Sequence, residues 1–132
     1  MTITLLLLFA GVGSGCLGST PTAPSTSEPV AVAETLQGTL SVNGARTHSF
    51  TVDRAGDVTA RLTILSDQAA IVGLGLGTWN GTTCAIILAN DAATIGSSVA
   101  GTAEATGDFC ARISDIGLLV TSVDYIIDVS HF

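Results

Sequence analysis

The side chains through which this chain could do chemistry are few. It has three cysteines, two histidines and eleven carboxylates, set against four arginines and no lysine. Cys84 and Cys110 both fall at strand-like positions. A thiolate metal site would need a third and a fourth soft ligand beside them. No histidine is close to either in sequence, and Cys16 lies far towards the N-terminus. In an exported chain such a pair reads as a disulfide. Closing a loop of that length would stabilise the domain by roughly 3–4 kcal/mol on the chain-entropy argument. His48 could act as a general base, with Ser49 and Asp53 near it in sequence. Triads do assemble from distant residues, but no G-x-S-x-G nucleophile elbow is present. His48 is therefore expected to be a structural residue at the edge of the core, and His131, beside Phe132, a surface residue. No catalytic residue, cofactor or resident metal is expected, and the chain is not expected to be an enzyme.

The acids are scattered. Asp53 and Asp57 share one turn, Asp91, Glu104, Asp108 and Asp115 fall in other loops, and Asp124 and Asp128 lie on one strand. Paired carboxylates could serve glycoside hydrolysis or bind calcium, but the spacing reproduces no EF-hand loop. Asp124 and Asp128 read as outward-facing, solubilising residues. Trp79 precedes an Asn-Gly turn. It either caps the end of a core or serves as an exposed contact residue. Asn80-Gly81-Thr82 fits an N-x-T sequon, to which little weight attaches.

A formal net charge of -7 disfavours nucleic acid, whose backbone demands clustered basic groups. Only 11% of the residues are charged while 47% are hydrophobic, so polar surface must come largely from Ser, Thr and Asn. Residues 2–12 (TITLLLLFAGV) are too short to span a bilayer, which takes about 20 residues. They suit the apolar stretch of a secretion signal, although no basic residue precedes Arg46. Gly13-Ser14-Gly15-Cys16 resembles a bacterial lipoprotein processing site, with Gly13 where that pattern has Leu or a similar residue. The resemblance implies a leader over 1–15 and lipidation of Cys16; ordinary signal cleavage and an uncleaved anchor are the alternatives. All three prolines fall at positions 21, 24 and 29, among Ser and Thr. Residues 16–35 accordingly read as an extended tether holding a domain clear of a membrane.

The folded domain is expected over 36–132, with no helical periodicity. Leu36 to Val42 gives a first strand, followed by a hairpin signal at Asn43-Gly44. Arg46, His48, Phe50 and Val52 share one face of the next strand. Val58, Ala60, Leu62 and Ile64 then alternate with Thr59, Arg61 and Thr63. In the following strand Val72, Leu74 and Leu76 alternate with Gly73, Gly75 and Gly77, leaving one face bare for close approach by another backbone. A hairpin at Asn80-Gly81 leads to a short apolar strand, Cys84 to Leu88, ended by Asn90-Asp91. Ser97 to Ala103 is a weak strand or an irregular edge. Phe109, Ala111 and Ile113 mark the next strand, and Val123 to Val129 the last. Seven to nine short strands with Gly/Asn/Asp turns imply an all-β, two-sheet sandwich of jelly-roll type. A small closed barrel is the competing architecture.

LQGTLSVNGARTHSFTV, GLGLGTWNGTTC, GDFCARISDIG and VDYIIDV together resemble a bacterial pre-peptidase C-terminal domain, over roughly Leu36 to Phe132. That resemblance implies a secreted jelly-roll-like sandwich, of a kind often appended to extracellular peptidases and sometimes binding calcium through loop acids. No peptidase segment is expected beside it. The expected role is a protein-contact or scaffolding module in the bacterial periplasm or at the outer cell surface, anchored to a membrane as an accessory subunit of a larger assembly. A free-standing lipoprotein that binds carbohydrate or a surface is the alternative, with Trp79 as its contact residue.

Overall fold

A computed structural model describes residues 28–132. The leader, Cys16 and the tether up to residue 27 lie outside the described residues. Eight strands and no helix form among them: β1 (Val32–Leu40), β2 (Ala45–Val52), β3 (Gly56–Leu65), β4 (Val72–Trp79), β5 (Cys84–Ala93), β6 (Ser98–Ala103), β7 (Gly107–Ser114) and β8 (Val123–His131). They build two four-stranded sheets, ordered β1-β8-β3-β6 and β2-β7-β4-β5, with every pairing antiparallel. The architecture is the expected two-sheet sandwich. The sheets keep separate edges, β1 and β6 in one and β2 and β5 in the other, so no barrel closes.

Alternation along each strand fixes the core. Val123, Tyr125, Ile127, Val129 and His131 of β8 face inward, opposite Val72, Leu74 and Leu76 of β4 and Ala111 and Ile113 of β7. Leu40, Phe50, Val52, Leu62 and Leu65 complete the interior. Burying each of the larger aliphatic side chains contributes about 1.5–3 kcal/mol, which holds together a domain with no helix to cover either sheet.

Several elements depart from the sequence pattern. β1 starts at Val32 rather than Leu36, because residues 32–35 pair with His131 to Asp128 of β8. Val42 lies beyond its end and is exposed. Asn43-Gly44 does turn the chain, with Asn43 at φ 57° and Gly44 N–H donating to Ser41 O at 2.9 Å. It does not close a hairpin, however. It arches from β1 in one sheet to β2 in the other, and Asn80-Gly81 between β4 and β5 makes the true hairpin. In β3 the register shifts between Leu62 and Ile64. The shift turns Ile64 outward, 49% exposed, and brings Leu65 into the core in its place. β5 does not end at Asn90-Asp91 but runs on to Ala93, accommodating two register shifts against β4.

Candidate functional site

The glycine stripe of β4 does what its bareness suggests. Gly77 sits between Cys110 on β7 and Ile86 on β5, and a Cβ there would collide with the backbone carbonyl of Ala85. Without one, the start of β5 lies over the backbone of β4. That approach carries Cys84 to a Cα–Cα distance of 5.9 Å from Cys110, which lies on the strand beyond, and the two form a disulfide with S–S 2.02 Å. Two strand spacings would otherwise separate β5 from β7 by nearly 10 Å. Gly75 likewise makes room for Ile86, whose Cδ1 would stand 3.0 Å from an added Cβ. Cys84 and Cys110 are thus a covalent staple with no thiol chemistry to offer.

His48 faces inward from β2, and its Nε2 lies 2.6 Å from the Tyr125 hydroxyl, with the rings edge to face at 5.8 Å. Which of the two donates depends on the imidazole tautomer. Gly38, opposite Tyr125 in β1, makes the contact possible, since a Cβ there would stand 2.8 Å from the hydroxyl oxygen. Burial, reinforced by the positive charge of Arg46, lowers the His48 pKa. Burial raises that of Tyr125 against the opposing hydrogen bond and charge of Arg46. Both groups are therefore neutral near pH 7, and the pair fastens β2 to β8 across the sandwich. Ser49 points to the other face of β2 and Asp53 lies beyond the strand end, so the sequence neighbours of His48 do not assemble with it. His48 thus lies at the edge of the core, bonded to Tyr125.

His131 is not a surface residue. It is only 2% exposed, stacked on Phe50 at 5.4 Å between ring centroids. Its Nδ1 lies 3.4 Å from Phe132 O, and the Glu34 carboxylate stands 3.5 Å from its Nε2, which forms no hydrogen bond among the described residues. The inward alternation of β8 simply continues two residues further than the sequence suggested. Glu34 was obscured in the same way, by its place in the expected tether.

The carboxylates serve the register. Thr35 donates to Asp128, Thr39 to Asp124, Thr51 to Asp108 and Thr102 to Asp57, at 3.2, 2.6, 2.9 and 3.4 Å. In each case the two residues stand directly opposite on neighbouring strands. Cross-strand pairs of this kind discriminate against slipped registers. Asp115 instead organises a loop: Oδ1 accepts from the N–H groups of Gly117, Leu118 and Leu119, and Oδ2 from that of Asn43. Among the described residues no three His, Cys, Asp or Glu side chains converge where a metal ion could sit.

Trp79 is half-buried at the far end of β4 and does not join the core cluster, so it does not cap the interior. The adjacent turn is held by Asn80, whose Oδ1 accepts from the N–H groups of Thr82 and Thr83. Two apolar surfaces that sequence reasoning missed are more prominent. On β5, Ile86, Ile87 and Leu88 are all exposed, Ile87 to 66%. Beside them, where the sheets part between β5 and β6, is a cleft of about 60 Å³ lined by Val58, Leu76, Leu88, Ala103 and Phe109. At the end of the sandwich where β1 finishes, Val42, Ile116, Leu118 and Val120 are exposed. An apolar run such as CAIIL reads as a buried strand, and nothing local marks it as a sheet edge.

No protein-family model matches the chain, and no curated protein sequence matches it. What the structure shows is the fold, an all-β, two-sheet sandwich.

Proposed function

We propose that this chain is a non-catalytic, exported β-sandwich that acts as a protein-contact module, held at a membrane through a lipidated Cys16 as an accessory subunit of a larger bacterial assembly. The observation that carries this reading is the edge of β5. Three consecutive aliphatic residues, Ile86, Ile87 and Leu88, stand exposed beside an apolar cleft, on a strand with no charged residue from Cys84 to Asn90. Contiguous exposed apolar surface marks a contact site more often than chance. A sheet edge adds unpaired backbone groups for a partner to engage. Several of the groups that could have done chemistry are meanwhile engaged in holding the fold: the two cysteines to each other, His48 to Tyr125, and four aspartates to threonines.

Gentle solubilisation of native membranes, followed by purification through this domain, tests the reading. Stoichiometric co-purification of a membrane complex, lost on Ile87→Asp with the fold intact, is the expected result. Recovery of the protein alone, with glycan binding that disappears on Trp79→Ala, would replace it by a free-standing carbohydrate-binding lipoprotein.

A further inference from the structure

The second apolar surface is of a different kind. Leu118, 59% exposed, and Val120, 89% exposed, project from the loop that joins β7 to β8. Asp115 holds that loop in one shape through three N–H bonds, aided by Gly117 at φ 94°, while Leu119 between them is buried as a plug. The two aliphatic side chains are thus presented by a preorganised turn, and ordering it on contact would cost little. Ile116 stands on the same loop. Val42 joins them from the β1–β2 arch, which the Asp115 carboxylate ties down at Asn43.

This end carries no charged residue from Ile116 to Ser122 or from Gln68 to Ile71, on a chain whose net charge is -7. Of the carboxylates near it, Asp115 is engaged with backbone N–H groups, Asp67 with that of Ala69 and Asp124 with Thr39, while Asp91 stands on the flank, lining a hollow with Arg112 and Ser114. Aliphatic side chains from separate loops, with no exposed aromatic and no free polar anchor, suit a fluid apolar medium better than a shaped protein pocket. The overall charge excludes strongly anionic surfaces. Reach agrees. β1 carries the chain about 30 Å from Val32 to this end. The sixteen residues from Cys16 to Ala31 can extend at most roughly 55 Å.

We propose that Val42, Ile116, Leu118 and Val120 form a tip that inserts into the interfacial zone of a zwitterionic lipid bilayer. The inference rests on the reading that Cys16 is lipidated. With the tip down, the β5 edge lies on the flank of the molecule, turned along the membrane plane towards a neighbouring protein.

The test uses the full chain purified from its membranes and reconstituted into phosphatidylcholine vesicles, with and without brominated acyl chains. In a Trp79→Phe background, Val120→Trp reports on the tip. The unsubstituted protein reports from Trp79, at the opposite end of β4. Bromine is expected to lower the emission of the Val120→Trp chain about twofold or more and to leave that of Trp79 unchanged. Adding Leu118→Asp to the same chain is expected to restore the emission. If it does not, the new indole itself prefers the interface and the proposal falls. Vesicle-bound protein with unquenched emission overturns the tip and leaves the anchor standing. Failure of the full chain to associate with vesicles at all overturns both.

Discussion

The backbone N–H of Asn43 donates to the carboxylate of Asp115 at 2.7 Å, joining two turns that lie 72 positions apart. The bond is returned when Asp115 N–H donates to Gly44 O at 2.9 Å. The arch between the sheets and the β7–β8 loop are thereby locked into a single cap. The Asn43 bond is also the main cause that holds the Asp115 carboxyl below its ordinary pKa; burial opposes it, and the bonds from Leu119, Gly117 and Leu118 add to it. A depressed carboxyl contributes stability that is complete above the ordinary Asp range and is lost as pH falls through the lower, folded value. Thermal unfolding followed from neutral pH into acid should therefore show a step in that window which Asp115→Asn removes. Amide exchange at Gly117, Leu118 and Leu119 should accelerate in the same variant. Unchanged exchange there would mean the carboxylate does not organise the loop.

His48 makes a prediction of the same sign at higher pH, through the neutral rather than the charged form. Its folded pKa is lowered, by burial first and by Arg46 second, so the folded state prefers the neutral ring. Below the unfolded imidazole value of about 6.5 the unfolded chain takes up the proton first, and stability declines as pH falls towards the folded value. His48→Gln should flatten that slope between neutral and mildly acidic pH. Tyr125→Phe leaves Nε2 of His48 without its partner and should destabilise by about 1–2 kcal/mol at neutral pH, measured by chemical unfolding. A neutral outcome would show that the 2.6 Å contact contributes nothing net.

What the sequence made legible follows from local chemistry. The parity of Val58, Ala60 and Leu62, the bare face of β4, and the strand placement of Cys84 and Cys110 are properties of neighbouring residues, and each matches the structure. What it hid is non-local. Asn43-Gly44 has the chemistry of a tight turn, but whether such a turn closes a hairpin or arches between sheets depends on partners some seventy residues away. The register shift after Leu62 exchanges Ile64 for Leu65 without any glycine or proline to announce it. Glu34 and His131 were misread together: they lie at opposite ends of the folded chain, and only the β1–β8 pairing brings them side by side. The exposed surfaces were hidden for a further reason. Burial of an aliphatic run depends on what packs against it, and β5 has a neighbour on only one side.

Two glycine substitutions that look alike in sequence, one on β4 and one on β6, differ in what the new Cβ meets. At Gly77 an added Cβ meets the backbone of Ala85, which cannot give way without breaking the β4–β5 ladder. At Gly101 it meets only the Cδ1 of Leu88, at 2.7 Å, the movable end of an exposed side chain. Gly77→Ala is expected to destabilise by about 2–3 kcal/mol or more and to leave some Cys84 and Cys110 unpaired. Gly101→Ala is expected to stay within about 1 kcal/mol of the parent. Thiol alkylation of natively folded protein, together with chemical unfolding, measures both effects. Equal behaviour of the two variants would refute the close crossing of β5 over β4.

The four Thr–Asp pairs predict a pattern in which the combination matters more than any member. Each is exposed, so each should contribute no more than about 0.5–1 kcal/mol, and Thr→Val at 35, 39, 51 or 102 alone should be nearly silent. Val is a good strand residue, so the substitution removes the hydroxyl while preserving backbone preference. The four positions span three strand pairings, β1–β8, β2–β7 and β3–β6, and the two on β1 act on the same pairing. Because Thr35 and Thr39 share one register, their double variant should open β1 more than the single changes add up to. Hydrogen exchange along Val32 to Leu40 reads that directly. The edge strand should lose protection over its whole length while β3, held between β8 and β6, keeps its own. Additive, purely local losses at positions 35 and 39 would show that these carboxylates decorate the sheet surface without specifying how its strands align.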